Sequence, residues 1–228
     1  DNFFTEETRQ IAVASYYGLC SFVDDMVGQI MRALEETGLD KSTTIIFSSD
    51  HGECLGDRGF WTKMVMYEEA SAVPLIISGP DIKPKVEAAP VSLIDIYPTI
   101  LDLKKVETKH PNPKHAKSLI STVLKPDMKR AILSEFHDYG AQTGMFMLRK
   151  ENWKLILYPG FQSQLFNLAV DPNEIDDLAG DESYAEKISE LYSEILKIAD
   201  PKEINKNAFK DQESMIKLLG GREAILAA

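Results

Sequence analysis

Two short, unbroken apolar runs constrain the fold of this chain most strongly. They are Ile45-Ile46-Phe47, within the predicted strand 43–48, and Leu75-Ile76-Ile77, within the predicted strand 74–78; a helical pattern precedes the first strand and another follows the second. Residues 5–37 repeat apolar side chains at spacings of three and four, and residues 93–104 form a shorter helical pattern. An unbroken apolar run is typical of a strand buried on both faces. Helix, strand, loop, strand and helix in this order predict part of a doubly wound α/β/α sandwich.

The sequence changes in character after residue 107. Residues 108–130 are polar and contain several prolines, which predicts a surface connection. Short strand patterns follow at residues 131–136, 144–149, 153–158 and 164–168, and helical patterns follow at 183–198 and 215–219. These patterns predict a small antiparallel sheet with a helix. We therefore expect part of an α/β domain at 1–107, a connection at 108–130 and a small C-terminal α+β domain at 131–228.

Composition excludes several classes of protein. The formal net charge is −11, whereas general nucleic-acid binding needs a basic face. No run of 18 apolar residues occurs, so no bilayer-spanning helix is predicted. The two cysteines, Cys20 and Cys54, cannot form a disulfide framework. Free thiols favour a reducing compartment, which predicts a cytoplasmic location. The sequence leaves open whether the chain forms a homo-oligomer.

The stretch SSDHGECLGDRGFWTK, residues 48–63, carries the chemistry that the first apolar run leads into. Asp50 and His51 come directly after the predicted strand, where ligands of such sheets bind. A carboxylate and an imidazole together suit one divalent cation, and the imidazole widens the choice toward Mn²⁺ or Zn²⁺. Lys63 adds a compact cation that can hold an anionic oxygen. A metal and a lysine around one anion suit the transfer of a phosphoryl or sulfuryl group.

Each of these residues also has a simpler interpretation. An isolated Asp-His pair at a strand end is more often a turn residue followed by a loop histidine, because Asp populates turns freely. A lone lysine such as Lys63 is more often a solvated surface charge. His137, in EFHDYG, is a further candidate for contact with a substrate, but a single loop histidine carries little information.

The longer string decides between these interpretations. SSDHGECLGDRGFWTKMVMYEEASAVPLIISGP, residues 48–80, resembles the second signature of the type I sulfatases, within the alkaline phosphatase superfamily. PVSLIDIYPTILDL resembles the helix that follows this signature, and NWKLILY with QLFNLAVDPNEIDDLAGD resembles the small C-terminal domain of the family. The Asp-His pair with W-x-K-M is most similar to the branch of choline sulfatases and phosphonate monoester hydrolases.

The resemblance implies roles for three residues of this chain. Asp50 and His51 match the second pair of metal ligands in the family, for Ca²⁺, Mn²⁺ or Mg²⁺. Lys63, twelve residues beyond His51, matches the catalytic lysine that binds the charged oxygens of the ester. The implied activity is metal-dependent hydrolysis of a small anionic sulfate ester. Hydrolysis of a phosphonate or phosphate ester, and a binding or assembly domain without catalysis, are the alternatives.

The family pattern is incomplete in this sequence. The nucleophile of the family is a formylglycine made within C/S-x-P-x-R, and the string CSFVD from Cys20 lacks both the proline and the arginine. The first aspartate ligands of the family also have no counterpart. We therefore expect a C-terminal portion of a sulfatase that is inactive by itself, with the formylglycine in an N-terminal part that this sequence does not contain.

Overall fold

The computed structural model describes residues 5–110, 113–137 and 141–226. The chain divides into two compact units, residues 1–86 and 87–228. The predicted domain boundaries, with a connection at 108–130 between residues 1–107 and 131–228, stay a prediction. No helix in the described ranges is both long and apolar enough to cross a membrane.

The first unit begins with the long helix α1, Glu6–Thr37, which confirms the predicted helix. Thr5 starts it, because its side-chain oxygen accepts a hydrogen bond from the backbone nitrogen of Thr8 at 3.2 Å. Gly38 ends it with a φ of 70°, a left-handed conformation that glycine adopts without strain. The described side chains of α1 all remain at least partly exposed. A short 3-10 turn, Leu39–Lys41, leads from α1 to the first strand.

Two strands complete the framework of this unit. They are β1, Ile45–Ser48, and β2, Leu75–Ser78, and they pair antiparallel with Ile45 opposite Ser78. Both predicted strands are confirmed, but the predicted burial on both faces is wrong, because Phe47 is 39% exposed and Ile76 is 58% exposed. The physical reason is that this sheet has only two strands among the described residues, so no neighbouring strand or second layer covers both faces.

Two short elements lie in the connection between β1 and β2. A 3-10 turn spans Asp57–Gly59, and the one-turn helix α2 spans Glu68–Ser71. Sequence reasoning did not predict either of them, since each is shorter than a readable period.

The second unit begins with a 3-10 turn, Leu93–Asp95, and the helices α3, Ile96–Lys104, and α4, Leu119–Leu124. The helix predicted at 93–104 is confirmed, whereas α4 was not predicted. Residues 111–112, within the predicted connection, lie outside the described ranges. The fully buried Asp95 carboxylate accepts two hydrogen bonds from Arg130, at 2.6 and 2.8 Å. Because this ion pair is bidentate and buried, it fixes the start of α3 to the segment that enters the following sheet.

The small antiparallel sheet is confirmed. Its strands lie in the order β3-β4-β5-β6, at Ala131–Phe136, Met145–Lys150, Trp153–Leu157 and Gln164–Asn167. Helix α5, Ala185–Ile198, packs on this sheet and confirms the predicted helix. The shared core consists of Leu148, Leu155, Leu165, Leu191 and Ile195.

The remaining structure of the second unit is helical. The short helix predicted at 215–219 belongs to a longer one, α6, Pro201–Leu218, which Asp200 caps by accepting from the backbone of Lys202. A final helix, α7, spans Arg222–Leu226. A second buried ion pair joins β5 to the turn after β6, where the Lys154 ammonium lies 2.8 Å from a Glu174 oxygen and both side chains are fully buried.

Candidate active site

Asp50 and His51 are adjacent in the chain and lie just after β1, which ends at Ser48. Oδ1 of Asp50 accepts a hydrogen bond from the His51 backbone nitrogen at 3.0 Å. The Nδ1 atom of His51 lies 2.8 Å from the Gly52 carbonyl oxygen. A carbonyl oxygen only accepts, so Nδ1 is the donor in this hydrogen bond. The Nε2 atom of His51 lies 3.4 Å from Oδ2 of Asp50.

This arrangement has the chemistry of half a metal site. A carboxylate oxygen and an imidazole nitrogen are both ligand atoms for divalent cations, and the 3.4 Å between Oδ2 of Asp50 and Nε2 of His51 lets one ion bind both. The hydrogen bond from Nδ1 orients the ring, as second partners of metal-bound histidines do. The Asp50 side chain is 85% exposed, so the pair is open to further ligands. Within the described ranges no third His, Cys, Asp or Glu joins them, so the two residues fit a divalent cation as part of a larger ligand set.

Gly52 ties this pair to α2. Its backbone nitrogen donates to the Ala70 carbonyl oxygen at 2.8 Å. A Cβ atom at this position would lie 2.0 Å from the carbonyl oxygen of Glu69, closer than real Cβ contacts allow. Only glycine therefore permits the close backbone approach that fixes the site residues next to α2.

The loop between His51 and Lys63 folds back on itself. The Cys54 nitrogen donates to the Thr62 carbonyl oxygen at 2.9 Å, and the Gly56 nitrogen donates to the Phe60 carbonyl oxygen at 2.8 Å. Lys63 follows Thr62 directly and is exposed. Lys63 therefore follows a residue that is hydrogen-bonded to Cys54, three residues after His51. An exposed ammonium in this position is available to an anionic ligand.

The tip of the loop is held by a cation that sequence reasoning missed. Arg58 has a φ of 53°, and its guanidinium donates to Oε1 of Glu69 at 2.7 Å. The same guanidinium lies 4.5 Å from the centre of the Tyr67 ring. These contacts join the loop tip to the start of α2. No pattern in the sequence indicates these contacts, because charged residues in a glycine-rich loop ordinarily face solvent.

Cys54 lies inside this loop and does not supply a nucleophile. Its side chain is 3% exposed. Burial raises the pKa of the Cys54 thiol, and the neighbouring Glu53 carboxylate raises this pKa further. A thiol with a raised pKa stays protonated, whereas the thiolate is the reactive form. We conclude that Cys54 is a packing residue of the loop.

His137 lies in the second unit, at the end of β3. Its ring stacks edge-on against Phe146, with ring centres 5.1 Å apart, and its Nε2 atom is 3.4 Å from Glu135. Its carbonyl oxygen accepts from the Gln212 side chain at 3.0 Å. Residues 138–140 of the same motif lie outside the described ranges. These contacts are those of a partly buried loop histidine, the simpler of its two interpretations.

Comparison with known proteins identifies the family. Residues 2–106 match the family model "Sulfatase", and residues 56–215 match the model "N-sulphoglucosamine sulphohydrolase, C-terminal". Arylsulfatase K of Danio rerio is 39% identical over 186 residues, which cover 77% of this chain and 35% of that protein. Choline-sulfatase of Rhizobium meliloti is 33% identical over 176 residues, covering 77% of this chain and 34% of that protein. The chain thus spans about a third of the length of these relatives.

Solved structures show the same relationship. The phosphonate monoester hydrolase SpPMH from Silicibacter pomeroyi aligns with a TM-score of 0.75 at 32% identity, over 85% of this chain and 42% of that chain. This likeness confirms the predicted α/β fold of the alkaline phosphatase type and the predicted similarity to the branch of choline sulfatases and phosphonate monoester hydrolases. The chain belongs to the sulfatase family and corresponds to its C-terminal portion.

Proposed function

We propose that the complete protein hydrolyses a sulfate monoester and that this chain contributes three residues of its active site. Asp50 and His51 would hold a divalent metal ion, and Lys63 would bind the charged oxygens of the substrate. The observation that supports this most is the distance of 3.4 Å between Nε2 of His51 and Oδ2 of Asp50, two potential ligand atoms that lie just after β1. Family membership supports the same reaction class.

The donor set limits which ions are suitable. One carboxylate and one imidazole accept Ca²⁺, Mn²⁺ or Mg²⁺, and the family implies divalent metal use without naming the ion. When bound, such an ion supplies positive charge that polarises an ester oxygen. In the part of the chain that the structure describes, no third His, Cys, Asp or Glu completes a metal-binding group with Asp50 and His51, so the remaining ligands would have to come from elsewhere in the complete protein.

Lys63 would act on the other side of the transferring group. As the bond to the leaving alcohol breaks, negative charge builds on the sulfuryl and leaving-group oxygens, and a nearby ammonium stabilises that charge more than it stabilises the ground state. Catalysis follows because only this difference lowers the barrier. The backbone hydrogen bond from Cys54 to Thr62, the residue before Lys63, supports the assignment, because Cys54 is only three residues beyond His51.

A second candidate is hydrolysis of a phosphonate or phosphate ester. The likeness to a phosphonate monoester hydrolase at a TM-score of 0.75 favours it specifically. Relative rates on an aryl sulfate and an aryl phosphonate separate the two reactions. A third candidate, a binding or assembly domain without catalysis, would require that the complete protein lacks the nucleophile motif.

The test is steady-state kinetics of Lys63→Ala in the complete enzyme. We expect kcat to fall by about a hundredfold or more, as for the loss of one oxyanion donor. Lys63→Arg should restore activity only in part, because a planar guanidinium cannot occupy the place of an ammonium. Asp50→Ala should lower metal content, and excess metal should restore part of its activity.

The matched control is Lys41→Ala, an exposed lysine on the turn after α1. It should keep kcat/KM within about twofold, as exposed substitutions usually do. The same small effect in Lys63→Ala would remove Lys63 from the active site.

A cytoplasmic location remains a proposal from the two free cysteines, of which Cys20 is exposed and Cys54 is buried. Whether the protein is a homo-oligomer is open to direct measurement by sedimentation.

A further inference from the structure

The loop between His51 and Lys63 contains a short hydrogen bond from the backbone nitrogen of Thr62 to the side chain of Glu53. In a regular antiparallel pair, two facing residues exchange both of their N–H···O bonds. The Cys54 nitrogen does donate to the Thr62 carbonyl oxygen, at 2.9 Å. The Cys54 carbonyl oxygen, however, accepts from Asp57 at 2.9 Å within the turn. The Thr62 nitrogen donates instead to Oε1 of Glu53, at 2.6 Å.

The same carboxylate oxygen serves both ends of the loop. Oε1 of Glu53 also accepts from the Leu55 nitrogen, at 3.3 Å. Leu55 and Thr62 are both left-handed, with φ of 52° and 68°. For residues that carry a Cβ this conformation costs about 1–2 kcal/mol each, and it persists only where surrounding contacts hold it. Through a single oxygen atom, Oε1, Glu53 therefore stabilises the left-handed backbone of both Leu55 and Thr62.

This contact bears directly on Lys63. Thr62 is the residue before it, so the φ of Thr62 sets the direction in which the chain enters Lys63. The Lys63 side chain is exposed, and its placement depends on that backbone direction. Loss of the acceptor would let Thr62 relax to a negative φ and redirect the ammonium.

We propose that Glu53 is a positioning residue that fixes Lys63 through the Thr62 amide; this inference rests on the role of Lys63 in the proposed function. The Glu53 carboxylate accepts the hydrogen bond of the Thr62 amide in place of the Cys54 carbonyl oxygen, which accepts from Asp57 instead. Its contribution is geometric, and it neither touches the substrate nor transfers a proton.

The experiment compares three variants of Glu53 in the complete enzyme. Glu53→Ala and Glu53→Met remove the acceptor, and Met keeps the length of the side chain in case Ala destabilises the loop. Glu53→Gln keeps an oxygen that accepts from the same amide. We expect kcat to fall on the order of 10- to 100-fold for Ala and Met, because a displacement of about 1 Å costs on the order of a hundredfold and a smaller one costs less. Glu53→Gln should retain most of kcat.

Two further measurements separate positioning from a general loss of structure. Hydrogen–deuterium exchange should become faster at the Thr62 amide in Glu53→Ala and Glu53→Met but not in Glu53→Gln. In a Lys63→Ala background, Glu53→Met should lower kcat by less than about twofold, because a residue acting through Lys63 has nothing left to position. The matched control is Asp57→Ala, which removes an exposed carboxylate from the tip of the same loop.

The outcomes distinguish this inference from the proposed function. If Lys63→Ala is impaired while Glu53→Met keeps normal kcat, the positioning role is wrong and the role of Lys63 stands. The inference would also be overturned if Glu53→Met lowered kcat by the same factor in the Lys63→Ala background as in the otherwise unchanged enzyme. If Lys63→Ala is itself fully active, the proposed role of Lys63 fails and the positioning role fails with it.

Discussion

Gly52→Ala is the sharpest single test of the site geometry. The new Cβ atom would lie 2.0 Å from the Glu69 carbonyl oxygen, so the two backbones must separate by at least about 1.4 Å to reach an ordinary contact of 3.4 Å. That movement breaks the hydrogen bond from Gly52 to Ala70, now 2.8 Å long. Overpacking costs about 1–3 kcal/mol, and the lost hydrogen bond adds about 0.5–1.5 kcal/mol.

The expected effect on function is larger than the effect on stability. Asp50 and His51 precede Gly52 directly, so a backbone shift above 1 Å moves both proposed metal ligands. Misplacement by about 1 Å costs on the order of a hundredfold in rate. The assay is kcat/KM of the complete enzyme on an aryl sulfate, with the melting temperature and the metal content measured in parallel.

The control is Gly59→Ala in the same loop. A Cβ atom there meets nothing within 4 Å, and its φ of 78° leaves only backbone strain of about 1–2 kcal/mol. Gly59→Ala should therefore keep its metal and most of its activity. Equal stability, metal content and activity in the two alanine variants would refute the argument that close approach at Gly52 fixes the site.

Two further predictions concern the buried ion pairs of the second unit. Asp95→Ala leaves Arg130 buried without its carboxylate and should destabilise the unit by about 3–5 kcal/mol, measured by urea unfolding with Trp153 fluorescence as the probe. Glu174→Ala should cost about as much, because it removes the carboxylate 2.8 Å from the fully buried Lys154 ammonium. The double variant Lys154→Met/Glu174→Leu should lose less stability than Glu174→Ala alone, since no charge is left buried; a larger loss would contradict this account.

The sequence by itself predicts those parts of the fold that depend on neighbouring residues. The spacing of apolar residues, the Thr5 cap and Gly38 were sufficient to predict the helix Glu6–Thr37. Alternation and turn residues predicted the strands of the small sheet. Each of these signals depends on residues that are close together in the chain, so it can be recognised in the sequence alone. The adjacent Asp50 and His51 could be recognised for the same reason.

Only the tertiary structure decided the contacts that hold the site. The backbone approach of Gly52 to Glu69 and the bond from Thr62 to Glu53 join residues that are far apart in the chain. The partial exposure of the strand Ile45–Ser48 likewise differs from the burial that its apolar run Ile45-Ile46-Phe47 predicted. The physical reason is that close approach, burial and the choice of a hydrogen-bond acceptor depend on which segments meet in space. A periodic pattern predicts the helices and strands themselves but does not determine which of them come into contact.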